Sequence, residues 1–513
     1  MTLIIIAFFV LLLLVIYIYS KRRLSKIHAG PDGHKRIIVL IIDSLMDEPL
    51  QKAIKEGKAP ALEFFMGHGR YFPDIVSAYP TMSVAIDTTL LTGTQPDEHK
   101  IPGLVWYDTK NKELISYGSA AREIMMLGIR NVLKHSLYEL NNEHISRNVK
   151  TIHEELRETA SINALVYRGR KQRYLHPPGS MTMTGILPPS IPTSGTHRFS
   201  FGALSRINPS KGHSHFWQAF GFNDAFTTAQ LTYLIRQQKL PPFTIAYFPH
   251  NDKIVHKKGP SSIAGIKDTD RKLQTILDSY HTWEEALKDA HWVIMGDSGQ
   301  ARVGYQDRDL IDLRSLLKQY RIPELSTTTR SDAQLVLALN ERMAYVYVLD
   351  EDLPLETIAE TLRTDERIGF VAWRNGRDIT VRCARTMETF SFRTGEDCID
   401  EFNQKWSING DPGVLDITIG DRGQLEYGNY PDALGRLSAA FYSHEGRYLV
   451  VDALPGYEFQ VKGSPTHKGG ASHGSLHKDD SLVPMIVTGT TTSPEHKRIV
   501  DLKQWLLSMI RTD

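Results

Sequence analysis

Arg36-Ile-Ile-Val-Leu-Ile-Ile-Asp43 is a β-branched apolar run that ends on a carboxylate. Such a run predicts a strand that is buried on both faces, as the strands of parallel sheets are. Open α/β sheets bind ligands at the carboxyl ends of their strands, and Asp43 falls at such an end. An aspartate there also caps a following helix in many proteins, so this run alone leaves both roles open.

Two further segments repeat this pattern of an apolar run followed by an aspartate. The run 241–248 precedes Asp252, which is followed by His256. The run 291–295 precedes Asp297. Because the carboxyl ends of parallel strands meet at one edge of a sheet, the three aspartates are predicted to lie together.

A histidine and a serine complete this set of candidate site residues. His473 lies in the glycine-rich loop 469–474, just before another predicted strand at 482–487. Aspartates and histidines gathered at strand ends are ligands that zinc and harder divalent ions use. Ser83 opens a predicted helix after Pro80. A hydroxyl there can meet a phosphate oxyanion or simply cap the helix.

Taken in order, these motifs resemble those of the alkaline-phosphatase superfamily. The nearest branch is that of the type I phosphodiesterases and nucleotide pyrophosphatases, and the resemblance runs from about Lys35 to Gly489. The matching pieces are Asp43, Tyr79-Pro-Thr-Met-Ser83, Leu91-Thr-Gly-Thr-Gln-Pro-Asp-Glu-His99, Asp252-x-x-x-His256-Lys-x-Gly259-Pro260, Asp297 with Gly299, and Ser472-His473-Gly474.

The resemblance implies a fold, two metal ions and a nucleophile. The fold is α/β, an alkaline-phosphatase-like three-layer sandwich with a mostly parallel central sheet and a small α+β insertion. Ser83 is the expected nucleophile. Two divalent ions are expected, with zinc preferred. The ligands that the resemblance implies are Asp252, His256 and His473 for one ion, and Asp43, Ser83 and Asp297 for the other.

The chain departs from the family pattern in its third strand-end motif. The family has Asp-His-Gly, with both the aspartate and the histidine as ligands, whereas this chain has Asp297-Ser298-Gly299. A hydroxyl is a far weaker zinc ligand than an imidazole. Three outcomes stay open: manganese or magnesium replaces zinc at this site, a spare histidine completes it, or catalysis is impaired. The spare histidines are His250, His467 and His477. We expect an altered but active site.

Two other positions narrow the substrate class. Ser83 is followed by Val84-Ala-Ile-Asp87, which lacks the x-Pro-x-Arg sequence of sulfatases, so sulfatase activity is not expected. Nucleotide pyrophosphatases place an asparagine that binds a phosphoryl oxygen where this chain has Leu104. The resemblance therefore does not carry over specificity for nucleotides.

The N-terminal segment predicts a membrane anchor. Residues Leu3 to Tyr19 are uncharged and apolar, and the run is close to the length needed to cross a bilayer as a helix. It lacks the preceding charged segment and the small-residue cleavage site of a signal peptide. We therefore expect a single-pass anchor at 1–20 and a basic tether at 21–36. The cluster Lys21-Arg22-Arg23 favours a cytoplasmic domain, whereas the family resemblance favours an extracytoplasmic one, and both placements stay open.

Length and composition set the remaining limits. The chain has 513 residues and a formal net charge of +1, which gives no support to a nucleic-acid partner. Its only two cysteines, Cys383 and Cys398, allow at most one disulfide. The expected division is a catalytic core at 37–303, an α+β insertion or cap at 304–445, and the last part of the core at 446–513.

Together these features predict a membrane-anchored, metal-dependent hydrolase of phosphate esters that acts through a Ser83 phospho-enzyme. Phosphodiesters are preferred to monoesters on the resemblance alone. One alternative is a transferase that moves a phospho-headgroup to a lipid acceptor. Another is a catalytically inactive relative that binds phosphorylated ligands. A phosphate-ester substrate and the membrane are the expected partners, and no protein partner can be inferred.

Overall fold

The β-branched runs form one large sheet in a computed structural model of the chain. The model describes residues 36–118, 120–210, 212–326, 332–384 and 388–511. The central strand is Arg36–Ile42, whose apolar side chains are almost completely buried. The seven strands, in spatial order, are Gly69–Val76, Leu482–Thr488, Ala290–Met295, Arg36–Ile42, Phe243–Phe248, Thr159–Ile162 and Arg198–Ser200.

Most of this sheet is parallel, as the sequence predicted. Arg36–Ile42 pairs in parallel with Ala290–Met295 on one side and Phe243–Phe248 on the other. Thr159–Ile162 and Arg198–Ser200 continue the parallel order. Leu482–Thr488 runs antiparallel to both of its neighbours. The three central strands therefore end at the same edge of the sheet.

Helices cover both faces of this sheet and complete three layers. Successive residues of a strand point to opposite faces, so Ile38 and Leu40 pack on one helical layer while Val39 and Ile41 pack on the other. The first layer contains Asp47–Lys55, Pro60–Gly67, Asp224–Arg236, Ala264–Leu277 and Trp283–Asp289. The second contains Ser83–Thr92, Ile152–Glu155, the π-helix His135–His144 and Leu502–Arg511.

A second sheet of nine strands is built mainly from the predicted insertion. One face packs on the helix Leu355–Leu362 and the other on Ala433–Tyr442. The Asn-Gly turn forms the expected antiparallel hairpin, with Asn375 opposite Asp378 and Gly376 at a φ of 63°. The strands are Leu335–Asn340, Met343–Val348, Tyr448–Ala453, Ile368–Asn375, Asp378–Arg382, Phe390–Asp400, Gln424–Tyr427 and Ile417–Ile419, with Lys405–Gly410 paired to Phe390–Asp400.

The second sheet extends beyond the predicted end of the insertion. Tyr448–Ala453 lies between Met343–Val348 and Ile368–Asn375, antiparallel to both. The sequence assigned this segment to the last part of the core, whereas in the structure it pairs with two strands of the predicted insertion. An apolar run predicts a buried strand, but it does not say which of two sheets the strand joins.

Short elements connect the two sheets. Two-stranded ribbons pair Val105–Asp108 with Glu113–Ser116, Lys171–Leu175 with Ile191–Gly195, Ala301–Arg302 with Ala471–Ser472, and Leu310–Asp312 with Glu458–Gln460. The remaining α-helices are Pro96–His99, Ala121–Leu127, Ile129–Lys134, Gly179–Met183, His250–Lys258, Leu313–Leu316 and Lys478–Ser481. Short 3₁₀ turns lie at Gly202–Leu204, Phe216–Gly221, Asp307–Asp309, Pro412–Leu415 and Ile499–Asp501.

Two sequence predictions concern the N-terminus and the cysteines. The predicted membrane helix at Leu3–Tyr19 and all of the tether except Arg36, which begins the central strand, lie outside the described residues. Within residues 36–511, no helix that the structure describes has both the length and the apolar character needed to cross a bilayer. Cys383 and Cys398 are free thiols, so they do not form the disulfide that the sequence allowed.

Candidate metal centre

Two aspartates lie at the ends of the central strands, where the sequence predicted them. The backbone N–H of Ser44, which follows Asp43, donates to Asp297 Oδ1 at 3.0 Å. The Tyr247 hydroxyl donates to Asp297 Oδ2 at 3.1 Å. Burial, reinforced by the charges of Asp297 and Asp252, raises the pKa of Asp43 well above its ordinary value. The strand ends thus bring three carboxylates close enough to repel one another.

Ser83 begins the helix Ser83–Thr92 at the same edge of the sheet. The capping position belongs to Met82, and no side chain caps this helix. The Ser83 hydroxyl instead lies within hydrogen-bonding reach of Asp297 and Tyr247. The alternative that Ser83 serves only as a cap is therefore wrong, because its hydroxyl faces the carboxylates.

Asp252, His256 and His473 form a compact group beside this pair. Asp252 and His256 lie one turn apart on the helix His250–Lys258, and His256 Nε2 is 3.0 Å from Asp252 Oδ1. His473 Nε2 lies 3.9 Å from the same oxygen. Their ligand atoms all fall within 4.8 Å of one another. The structure therefore brings together the three residues that the resemblance assigned to one ion.

Backbone carbonyls orient both imidazoles of this group. His256 Nδ1 lies 2.8 Å from the carbonyl oxygen of Ala471, and His473 Nδ1 contacts that of Thr81. A carbonyl only accepts, so each Nδ1 carries a proton, and Nε2 is the ring nitrogen that each imidazole directs into the group. Metal-bound histidines are usually oriented in this way.

Two more residues border this group: Glu341, which sequence reasoning missed, and His467, which it named only as a spare histidine for the second ion. Glu341 lies in the turn between the strands Leu335–Asn340 and Met343–Val348, and its side chain is only 9% exposed. Glu341 Oε1 is 4.0 Å from His256 Nε2, and the His467 ring stacks on that of His256 with centroids 3.9 Å apart. Neither residue belongs to a motif, so no local sequence signal placed them here.

Neighbouring charges and burial together set the pKa values of several site residues. Burial alone would lower the pKa of His256, but the carboxylates of Asp252 and Glu341 outweigh it and raise that pKa to about 10. Burial opposes ionisation of Asp252, yet His256 and His473 reverse the effect and lower its pKa. Burial and the charge of Asp297 raise the pKa of Asp87, one turn beyond Ser83, to about 8.

These donors fit divalent cations. Carboxylates outnumber imidazoles, and burying several of them together costs free energy unless cations compensate their charge. Asp43 Oδ1 is buried and has no hydrogen-bond partner among the described residues, so it is available as a ligand atom. Imidazole nitrogen with carboxylate oxygen suits zinc, whereas oxygen donors alone suit magnesium and manganese.

Ser298 occupies the place of the histidine in the family pattern. It is completely buried, and its Oγ lies 3.4 Å from Ser44 Oγ. Gln300 Nε2 donates to Asp252 Oδ1 at 2.7 Å. Gln300 Nε2 also donates to Ser44 Oγ at 2.9 Å, so hydroxyl and amide groups, rather than an imidazole, stand at the place of the family's histidine.

The spare histidines do not fill this place. His250 Nε2 lies 3.7 Å from Asp268 Oδ2 on the exposed side of its helix. His477 caps the helix Lys478–Ser481. His467 lies next to His256 and Glu341, on the side of the first ion site.

Five of the six predicted site residues line one cavity of about 820 Å³: Asp43, Ser83, Asp252, His256 and His473. Asp297 lies just beneath its floor, in contact with Tyr247 and Ser44. Glu341 and His467 also face the cavity. Its apolar wall includes Met82, Val84, Leu104, Leu165 and Phe222, and its basic side chains are Lys253, Lys257 and Lys468.

A family comparison agrees with this geometry. Residues 37–385 match the model of the type I phosphodiesterase/nucleotide pyrophosphatase family. The chain belongs to this family. Membership supports hydrolysis of phosphate esters as the activity. Comparison with curated proteins gave no match.

Solved structures of the family share the fold. Human ectonucleotide pyrophosphatase/phosphodiesterase 5 is 13% identical, with a TM-score of 0.55 over 93% of this chain and 95% of that one. The murine protein is 11% identical with a TM-score of 0.53 over the same shares. An inactive murine variant in complex with AMP is 11% identical, with a TM-score of 0.54 over 93% of this chain and 95% of that one. At these identities the likeness establishes the alkaline-phosphatase-like fold alone.

Proposed function

We propose that this chain is a metal-dependent hydrolase of phosphate esters, with phosphodiesters as the preferred substrates and Ser83 as the nucleophile. The observation that carries the proposal is the convergence of the Ser83 hydroxyl, two strand-end aspartates and the Asp252–His256–His473 group around one cavity. Family membership supports the reaction class. The chemistry of the side chains supports the roles given below.

Two sets of residues would hold the ions. Asp252, His256 and His473 would hold one, and their mixed nitrogen and oxygen donors favour zinc. Asp43, Asp297 and Ser83 would hold the other through oxygen atoms alone, which favours manganese or magnesium over zinc. When bound, such ions supply positive charge that polarises the phosphoryl group and favours ionisation of a nearby hydroxyl.

The chain's own groups account for the displacement. Ser83 Oγ attacks phosphorus, and its proton passes to Asp297, within hydrogen-bonding reach of that hydroxyl. The bond from phosphorus to the leaving oxygen breaks as the bond to Ser83 forms. Because Ser83 begins a helix, the positive end of the helix dipole faces the phosphoryl oxygens. The leaving oxygen departs with the bonding electrons. A water oxygen then bonds to phosphorus as the bond to Ser83 breaks, Ser83 Oγ takes the proton back from Asp297, and one water proton neutralises the leaving alkoxide.

A membrane anchor would direct this activity to a surface. The uncharged run from Leu3 to Tyr19 supports a single membrane span, and the basic residues after it support contact with anionic lipid. We therefore include a phosphodiester carried by a lipid headgroup among the substrates to be tested. The residues around the span are compatible with a catalytic domain on either side of the membrane.

Hydrolysis of a chromogenic phosphodiester tests this proposal. Bis(4-nitrophenyl) phosphate and 4-nitrophenyl phosphate are offered to the purified chain with zinc, manganese or both. Turnover of the diester that Ser83→Ala abolishes supports the enzyme. Ser180→Ala is the matched control and should have no effect, because Ser180 is exposed on the helix Gly179–Met183 and does not line the cavity. Absence of turnover with every metal, together with retained binding of AMP, would identify a non-catalytic phospho-ligand-binding protein instead.

A further inference from the structure

The apolar and the basic side chains of the catalytic cavity come from different parts of its wall. Met82 and Val84 flank Ser83 in the chain, and both line the cavity. The basic side chains come from the helix His250–Lys258 and from the loop 465–468. The cavity therefore has an apolar region next to the nucleophile and a basic region next to the helix that carries two of the predicted ion ligands.

Two of the basic residues, Lys253 and Lys257, lie one turn apart on this helix. A spacing of four places them on one helical face, where their like charges repel each other. Both side chains are exposed, and neither ammonium group has an ion pair or a hydrogen bond with any residue that the structure describes. The third basic residue, Lys468, pairs with Asp307. Two uncompensated positive charges therefore face the cavity.

The direction of the displacement brings the leaving group to these lysines. In-line displacement places the leaving oxygen on the side of phosphorus opposite the nucleophile. Ser83 attacks from the side of Asp297, which lies within hydrogen-bonding reach of its hydroxyl. The leaving oxygen then lies toward the first ion site, whose ligands Asp252 and His256 directly precede the two lysines in the chain. A substituent on that oxygen extends past both ammonium groups.

We propose that Lys253 and Lys257 select phosphodiesters whose leaving group carries a second negative charge. The inference rests on the proposed function, because it uses the direction of attack by Ser83. A carboxylate or phosphate on the leaving alcohol would pair with the two ammonium groups, while the group that stays on phosphorus would pack on the apolar region. The substrate class is an amphipathic diester with an anionic leaving alcohol.

A matched pair of chromogenic diesters tests this selection. Methyl 4-nitrophenyl phosphate and methyl 3-carboxy-4-nitrophenyl phosphate differ only in the carboxylate on the leaving phenol. Two exposed ion pairs should favour the carboxylate diester about fivefold in kcat/KM. In the double variant Lys253→Gln with Lys257→Gln, the ratio of the two kcat/KM values should fall by that factor. Because both proteins receive the same two diesters, differences in intrinsic reactivity cancel.

Lys258→Gln is the matched control for the lost charge. Lys258 is exposed in the same last turn of the helix as Lys257, so both interact with the helix dipole, but Lys258 does not line the cavity. Its ratio should equal that of the wild type. Salt at about 0.5 M screens exposed charges and should lower the wild-type ratio toward that of the double variant. Equal ratios for the wild type and the double variant at low salt would overturn the proposal.

Binding without turnover separates this inference from the proposed function. Calorimetry on the Ser83→Ala chain, loaded with zinc and manganese, gives the dissociation constants of both diesters. The carboxylate diester should bind more tightly, and the two lysine substitutions should remove the difference. Turnover by the wild type with no preference for the carboxylate would refute this inference alone. A preference that depends on the lysines, without turnover by the wild type, would refute only the proposed function. Absence of both binding and turnover would refute both.

Discussion

Arg342→Met should strongly destabilise the fold, although Arg342 is not one of the proposed ion ligands. The Arg342 guanidinium and the Asp480 carboxylate are both completely buried and paired. The same guanidinium donates to the carbonyl oxygens of Ala453, at 2.9 Å, and Tyr457, at 3.3 Å. Removing one partner of a buried ion pair leaves the other charge uncompensated and costs about 3–5 kcal/mol. We expect the free energy of unfolding to fall by that amount.

The pH dependence of this loss has a definite sign. Burial already raises the pKa of Asp480 well above its ordinary value, and loss of Arg342 raises it further. A carboxyl whose pKa is raised in the folded state destabilises the fold as the pH rises above its unfolded pKa of about 3.9. The loss caused by Arg342→Met should therefore be larger at pH 8 than at pH 5.

Urea denaturation followed by circular dichroism measures this loss. Arg447→Met is the control, because the Arg447 guanidinium donates to two backbone carbonyls at an exposed site, and its loss should cost less than about 1 kcal/mol. The double variant Arg342→Met with Asp480→Leu removes both charges and should recover much of the lost stability. A cost below about 1 kcal/mol for Arg342→Met alone would refute the reasoning.

Three further substitutions test the pKa of a buried histidine, the packing of the core and the role of the cavity wall. Burial lowers the pKa of His153 to about 3, so the fold loses stability as the pH falls below about 6.5, by about 2 kcal/mol at pH 5. His153→Phe should remove that part of the difference in unfolding free energy between pH 7 and pH 5, and an unchanged difference would contradict the assignment. Trp292→Ala empties a fully buried site beside Phe65 and should cost about 3–5 kcal/mol in urea denaturation; a cost near zero would show that the site is not tightly packed. Leu104→Asn adds an amide to the cavity wall and should raise kcat/KM for a nucleotide diester up to about tenfold, whereas an equal fall for all diesters would argue against a phosphoryl contact there.

The central part of the fold follows from the sequence because one physical rule links its segments. The β-branched runs ending at Asp43 and Asp297 predict buried parallel strands, and parallel strands end together. Met295 pairs with Ile41, so the two aspartates are nearly level across the sheet. The Asp252 and His256 pair is equally readable, because a spacing of four places both side chains on one helical face.

The rest of the fold and of the site depends on contacts between segments that are far apart in the sequence, and such contacts leave no local signal in it. Glu341 lies in an ordinary turn and meets His256 only because the second sheet packs on the core. Likewise, the composition of Tyr448–Ala453 predicts a buried strand for either sheet, and only its pairing with Met343–Val348 decides between them. The sequence shows that Ser298 replaces the histidine of the family pattern. It did not reveal that Ser44 lies next to Ser298 and accepts a hydrogen bond from Gln300.

Identification of the atom that carries the phosphoryl group tests the catalytic assignment most directly. The chain is loaded with zinc and manganese, quenched in acid during turnover of bis(4-nitrophenyl) phosphate, and digested for mass spectrometry. We predict a substrate-derived phosphoryl ester on Ser83. The Ser83→Ala variant should show neither this ester nor turnover. An adduct on another residue, or undiminished turnover by Ser83→Ala, would contradict the account.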